Sequence, residues 1–502
     1  MLQPWYVRSH PLQGRTGSDI FQGLYQQPAA NQRQNGYSQP WQQIATLLES
    51  PYPLPKHTPS TRIARYSICA GPPRVCNQQP LLWTPAVGTI LPMLSQRLTT
   101  PQPPAVLLDA TTGNSCAIDN LPFAGGWLGW LGYDLAWEIE VLPTLNTDPL
   151  PFPVAFWYEP ATFAVLDHEQ QQLWLAASNL PQLVLMETAL AATEAVPPLT
   201  PVNFTGGLTL ASSQAEYEAA VRQAKQHIQA GDVFQTNLSL RFATQTTAAS
   251  WAIYRRLHSI NPSPFASYWC TPWGAVVSCS PERLVSLHND IAETRPIAGT
   301  RSRGKTPAQD QALSEELRAN TKEKAEHIML VDLERNDLGR VCTWGTITVD
   351  ELMTIEPYSH VMHLVSNVVG TLAPEHSAID LIRAVFPGGT ITGCPKVRCM
   401  EIIEALEPLR RNLFYGSCGY LDYRGHLDLN ILIRTLLWTP GGGDRPHTVW
   451  GQVGAGIVAD SQPTQEWQES LQKAKAQLLS VGINLEHLTP TTTTSKARSQ
   501  NQ

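Results

Sequence analysis

The segment 323–340, EKAEHIMLVDLERNDLGR, constrains this chain most, because its helical register turns charge toward hydrocarbon. At about 100° per residue, Glu323 and Glu326 share a face with Leu330 and Leu333, the apolar side of the helix. A carboxylate facing a core is costly unless a cation or several donors meet it, so this helix needs a partner it does not contain. A Lys or Arg on another element would serve, and so would a divalent metal. The far end of the chain repeats the device. In DSQPTQEWQESLQKAKAQLL, Glu466, Glu469 and Lys473 occupy one arc, while Trp467, Leu471, Ala474 and Leu478 form a separate apolar stripe. Two Glu pairs at i, i+3 supply an all-oxygen site suited to a hard ion such as Mg²⁺.

With 502 residues and 42% apolar content, the chain can bury the cores of two ordinary domains or of one large interwoven body. A net charge of −7 and the absence of a basic run disfavour nucleic acid and anionic membrane, leaving a small molecule or a protein as partner. The nine Cys are odd in number, dispersed and never spaced Cys-x-x-Cys, which argues against disulfides and zinc and for a reducing compartment. No run of about 18 apolar residues occurs, and MLQPWYVRSH lacks the basic start and apolar stretch of a signal peptide. A soluble, cytoplasmic protein is expected.

Residues 1–195 read as an N-terminal region, loosely ordered over about 1–40, with the first ordered element expected at WQQIATLLES, 41–50. From 62 to 185, short apolar runs of period two predict strands, including a hairpin about Asp167, His168, Glu169 and Gln170. Glycines 125, 126, 129 and 132 in FAGGWLGWLGYD predict a strand packed closely on other backbone. Residues 196–213, rich in Pro, read as a linker. Ser213 and Glu216 then form a capping box, and Tyr217, Val221, Ala224 and Ile228 give a helix that Gly231 ends. Residues 306–336 are predicted to be helical, a region of mixed elements runs over 214–485, and the tail 486–502 is expected to be disordered.

In LDLNILIRTLLW, Asn430, Leu432 and Arg434 are expected on one strand face, aiming the Arg434 guanidinium into a cleft where it can grip a carboxylate bidentately. Gly454-Ala455-Gly456 can offer backbone amides to a second anion, although Gly-x-Gly is more often a bulge. His363 alternates with apolar neighbours, as a core histidine also would.

Together, PIAGTRSRG, EHIMLVDLERNDLGRV, YSHVMHLVSNVVG, GGTITGCPKVRCMEIIEALEP, DLNILIRT and GAGIVADSQPTQEWQE, in this order, resemble the chorismate-utilising enzymes, specifically component I of anthranilate synthase and of aminodeoxychorismate synthase. The likeness is dense from about 215 to 480 and thinner from about 40 to 180, where LLES, ARYSICAGPP and PFAGGWLGWLGYD carry it. It implies an α+β fold of two large, mostly antiparallel sheets packed as a sandwich with outer helices, and a chorismate-binding catalytic domain at 214–485. It also implies attack of ammonia on chorismate, dependent on Mg²⁺ held by Glu326 and Glu469 with Glu323 and Glu466 beside them. Gly299, Thr300, Arg434, the amides of Gly454, Ala455 and Gly456, and Lys473 fall where the family grips substrate. Thr390 and His363 stand beside the reacting ring, with His363 as the proton carrier.

Gln235 occupies the place where isochorismate-forming relatives carry a water-activating Lys, which favours ammonia as nucleophile. Ala298 stands where typical aminodeoxychorismate synthases place a nucleophilic Lys, and LLES matches a tryptophan-sensing motif, making Glu49 and Ser50 a tryptophan-site candidate. Phe265, Ala266, Asn237, Asn430 and Phe414 instead resemble aminodeoxychorismate synthase. Anthranilate is the expected product and aminodeoxychorismate the alternative; a non-catalytic chorismate- or tryptophan-binding relative has little use for the retained acids and His363. The chain shows no Cys/His/Glu amidotransferase set, so a separate glutamine amidotransferase subunit is the expected ammonia source.

Overall fold

The structure is a computed structural model describing residues 4–26, 39–51, 63–99, 107–110, 121–192, 199, 206–357, 361–443, 445–484 and 491–492. Its strands build two large sheets, of 14 and 10 strands, and a small hairpin of Val75–Cys76 with Gln79–Pro80. The larger sheet follows the spatial order Thr491–Thr492, Thr209–Leu210, Gln235–Thr246, His447–Ile457, Thr435–Thr439, Gly274–Ser280, Phe265–Thr271, Ala45–Glu49, Tyr66–Ala70, Thr162–Asp167, Gln172–Ala177, Trp5–Pro11 and Leu107–Asp109, with Gly393–Cys394 also paired to Gln235–Thr246. The smaller sheet runs Ile297–Ser302, Val361–Thr371, Ile291–Thr294, Arg283–His288, Leu427–Asn430, Ser417–Asp422, Gly126–Leu131, Ala155–Tyr158 and Leu82–Trp83, with Thr348–Pro357 also paired to Val361–Thr371. Both sheets mix strands from the two halves of the chain. Parallel pairing is confined, among the described strands, to Trp5–Pro11 with Leu107–Asp109 and Thr209–Leu210 with Thr491–Thr492.

The sheets pack face to face. Trp130 of the smaller meets Trp269 of the larger edge to face at 5.8 Å, within a core that also takes Phe156, Val276 and Val285. A second apolar layer lies on the other side of the larger sheet, where helices Gly17–Tyr25, Gln214–Gln229, Ser250–Ile260 and Pro463–Ser480 bury Phe21, Val221, Tyr254 and Trp467. This is the expected α+β sandwich with outer helices. The close glycine packing of 123–140 is also present: a Cβ on Gly126 would lie 2.2 Å from the Leu421 carbonyl oxygen, and one on Gly129 2.1 Å from that of Phe156. The hairpin pairs Asp167 with Gln172, and Ser213 and Glu216 form their capping box.

Several sequence expectations are corrected. Order begins well before residue 41, with strand Trp5–Pro11 and helix Gly17–Tyr25, opened by a Thr16/Asp19 capping box. The 306–336 segment is helical as expected, divided into Pro307–Ala319 and Thr321–Gly339 because Asn320 leaves helical geometry and caps the second through its side chain. The 196–213 stretch contains the paired strand Thr209–Leu210. The tail 486–502 lies outside the described residues except for Thr491–Thr492. Cys69, Cys76, Cys270, Cys279, Cys342, Cys394, Cys399 and Cys418 are free thiols, and among the described residues no helix is long and apolar enough to cross a membrane.

Candidate active site

Strand Gln235–Thr246 alternates sharply: Leu238, Leu240 and Phe242 enter the core beneath the outer helices, while Gln235 and Asn237 face a cavity of about 520 Å³. The same cavity is walled by Ile297, Gly299 and Thr300 from one edge of the smaller sheet, by His363 beside them, and by Thr390 from the turn 389–391. Helices Thr321–Gly339 and Pro463–Ser480 contribute Glu323, Glu326, Leu330, Glu466, Glu469 and Lys473. The inward Glu faces read from the sequence therefore meet one hollow. Gly454 and Gly456 also line it, whereas Ala455 points the other way and is fully buried in the opposite core. Past Gly451 the strand His447–Ile457 pairs only with Gln235–Thr246 among the described strands, which leaves its other edge open.

Arg434 reaches the cavity by a different route from the one expected. Leu427–Asn430 belongs to the smaller sheet and Thr435–Thr439 to the larger, so residues 431–434 are the crossover between them. Arg434 sits at its end with φ 50°, off any strand, and its Nη1 donates to Asn261 Oδ1 at 3.1 Å. The left-handed turn, rather than strand alternation, aims the guanidinium.

The carboxylates line one wall but do not form a ready ligand shell. Glu323 Oε1 lies 3.2 Å from Arg301 Nη1, Glu469 Oε1 lies 2.8 Å from Lys473 Nζ, and Glu326 Oε1 accepts from Gln235 Nε2 at 3.1 Å. Glu466 is buried. Among the described residues no group of three or more acidic, His or Cys side chains stands close enough together to hold a metal. The donor chemistry nonetheless fits a hard divalent cation, since four carboxylates share the wall. Glycines keep it open: a Cβ at Gly299 would lie 2.8 Å from Glu323 Oε2, and one at Gly456 3.5 Å from Glu326 Oε1. Lys473 also donates to the Gly454 carbonyl at 3.1 Å.

His363 is buried, with Nδ1 2.9 Å from Thr300 Oγ1. Burial and the nearby Arg434 push its pKa down to about 3, so the ring is neutral. The sequence reading missed Glu282. This carboxyl lines the cavity behind Thr390, is 5% exposed, and is pushed up to about 7 by burial against the opposing pull of Thr390, the Ile297 amide and Arg434. Its position in CSPERL, between two strands, gave no periodic signal. A neutral imidazole and a carboxylic acid that keeps its proton near neutrality therefore both border the cavity.

Glu49 and Ser50 lie elsewhere, on a second cavity of about 100 Å³ between the sheets, with Tyr66, Phe265, Arg283 and Asn430. Glu49 accepts from the Ser18 amide at 2.6 Å and from the hydroxyls of Ser18 and Tyr254 at 2.7 Å, and Ser50 Oγ donates to the Tyr66 carbonyl at 2.8 Å.

Comparison with known proteins agrees with this architecture. The chain is 57% identical to the anthranilate synthase component I-like protein of Synechocystis over 95% of this chain and 92% of that one. It is 46% identical to aminodeoxychorismate synthase component 1 of Bacillus subtilis, over 70% and 76%. Anthranilate synthase component I of Streptococcus pneumoniae superposes with TM-score 0.67 at 31% identity, covering 82% of this chain and 92% of that one. The menaquinone-specific isochorismate synthase of Escherichia coli shares the fold, with TM-score 0.67 at 16% identity over 95% of each chain. With the family profile matching residues 74–479, most of its length, the chain belongs to the chorismate binding enzymes.

Proposed function

We propose that this chain is component I of an anthranilate synthase, converting chorismate and ammonia to anthranilate and pyruvate, with the ammonia released from glutamine by a partner amidotransferase. The observation that carries the choice is Ala298, which lines the cavity where a lysine nucleophile would stand in the aminodeoxychorismate branch. Lys473, the lysine among the described lining residues, is held by Glu469 and the Gly454 carbonyl and does not replace it. Direct attack by ammonia is then the simplest route.

In this reading Arg434 grips one substrate carboxylate from the crossover, while the open edge at Gly454 and Gly456 and the side chains of Thr300 and Lys473 orient the rest. Glu282, still protonated near neutrality, donates the proton that lets the ring hydroxyl leave as water. His363, neutral and tethered to Thr300, takes up a proton from the ring as it aromatises. Glu326 and Glu469, with Glu323 and Glu466, would hold Mg²⁺, which when bound withdraws electron density through a substrate carboxylate. The second cavity at Ser50 is the proposed tryptophan-sensing site; a rate indifferent to added tryptophan removes that role.

A second reading has its own support. Synechocystis carries, besides the 57% relative, a protein named anthranilate synthase component 1 that is 42% identical to this chain. Two such proteins in one organism favour separate reactions, and aminodeoxychorismate synthesis is the other product. Incubating the purified chain with chorismate, Mg²⁺ and ammonium decides between them. Fluorescent anthranilate with equimolar pyruvate supports the first reading; an aminated cyclohexadiene that retains its enolpyruvyl group supports the second.

A further inference from the structure

Two of the four carboxylates on the cavity wall are already held by a cation. Glu323 Oε1 accepts from Arg301 Nη1 at 3.2 Å, across from the strand Ile297–Ser302, and Glu469 Oε1 lies 2.8 Å from Lys473 Nζ, one turn along its own helix. All four side chains line the cavity. An i, i+4 Glu–Lys pair is by itself an ordinary helix contact of small worth. These two cations differ in having further anchors beside the cavity. Lys473 donates to the Gly454 carbonyl at 3.1 Å. Arg301 Nη1 donates to the Thr300 carbonyl at 2.9 Å, and its Nε and Nη2 donate to Glu316 Oε1, on helix Pro307–Ala319, at 3.2 and 3.0 Å. A side chain anchored twice can release one partner and keep its place.

The proposed metal needs the same oxygens. Pairing with Arg301 and Lys473 lowers the mutual repulsion of acids that share a wall, and it also sets both cations against any ion that binds there. We propose that Arg301 and Lys473 are internal counter-ions that a divalent cation displaces from Glu323 and Glu469, so that binding the metal frees their positive charge for an anionic substrate. The inference rests on the metal assignment made above. With Glu469 on the ion, Lys473 stays on the Gly454 carbonyl and offers its charge to a substrate carboxylate; with Glu323 on the ion, Arg301 stays on Glu316 and the Thr300 carbonyl. Metal and chorismate then assist one another, and linkage requires the same factor in both affinities.

Isothermal calorimetry of Mg²⁺ binding in the absence of chorismate tests the displacement in the unaltered chain, Arg301→Gln and Lys473→Gln. Each variant is expected to bind Mg²⁺ about three- to tenfold more tightly, because the competitor and its charge are gone. Chorismate binding is then measured without ammonium, with and without Mg²⁺. The ion should tighten it in the unaltered chain and by a smaller factor in Lys473→Gln. Both substituted side chains are partly exposed, and thermal midpoints serve as the folding control. Unchanged or weaker Mg²⁺ binding in a variant overturns the inference for that residue, and a metal–chorismate coupling that survives intact in Lys473→Gln overturns the release of its charge to substrate. If neither the unaltered chain nor the variants bind Mg²⁺, the metal assignment falls and this inference with it.

Discussion

Glu282 shows how one buried group joins chemistry to stability. Its proton is retained up to about pH 7 in the folded chain, whereas an exposed glutamate releases its proton near about 4.3. As a general acid it works protonated, so kcat/KM for chorismate should fall as pH rises through about 7. In Glu282→Gln that limb should vanish, with turnover reduced by about 10²–10⁴ while chorismate still binds. The stability sign follows from linkage. Between those two pKa values the folded state binds the extra proton, so stability falls as pH rises and the loss is complete above about 7. Thermal midpoints of Glu282→Gln, compared with the unaltered chain at several pH values, should therefore improve relative to it above neutrality and not below about pH 4. Arg434→Lys keeps the charge but loses the planar fork, and should raise the KM for chorismate about tenfold or more with a smaller effect on kcat.

Helix Thr321–Gly339 places its acids through its start. Asn320 Oδ1 accepts from the Glu323 amide at 3.1 Å, so Glu323 stands in the turn the cap organises. Asn320→Ala should cost about 1 kcal/mol in denaturant unfolding. If Glu323 assists the metal, the Mg²⁺ concentration for half-maximal rate should rise as well; loss of stability with no change in Mg²⁺ dependence would separate the cap from the site. The early strand is equally specific. Trp5 is 1% exposed, packs edge to face on Phe163 at 5.7 Å and lies under the Arg74 guanidinium at 3.6 Å. Trp5→Ala should cost about 3–5 kcal/mol in the same measurement, the behaviour of a core element rather than a loose leader.

Over the whole molecule, the site is assembled from both sheets, two helices and the crossover at 431–434, so it exists only when the sandwich is complete. None of the lining residues forms a nucleophile set for glutamine hydrolysis. The purified chain is expected to turn over chorismate with ammonium but not with glutamine, and to gain glutamine dependence when mixed with a glutamine amidotransferase subunit. Product formation from glutamine by the chain alone, read by mass spectrometry, would remove the partner from the scheme.

The sequence by itself determined the helix faces: the spacing of Glu323 and Glu326 sets them on the side of Leu330 and Leu333, and that of Glu466 and Glu469 sets them on one arc beside an apolar stripe. Capping at Ser213 was readable for the same reason: its cause acts within a few residues. The hollow in front of the acids, the orientation of Arg434 and the proton held by Glu282 were decided only by the tertiary structure. Each depends on chain segments remote in sequence, and burial, which sets both the pKa shifts and the demand for partners, is a property of the packed whole and not of any local pattern.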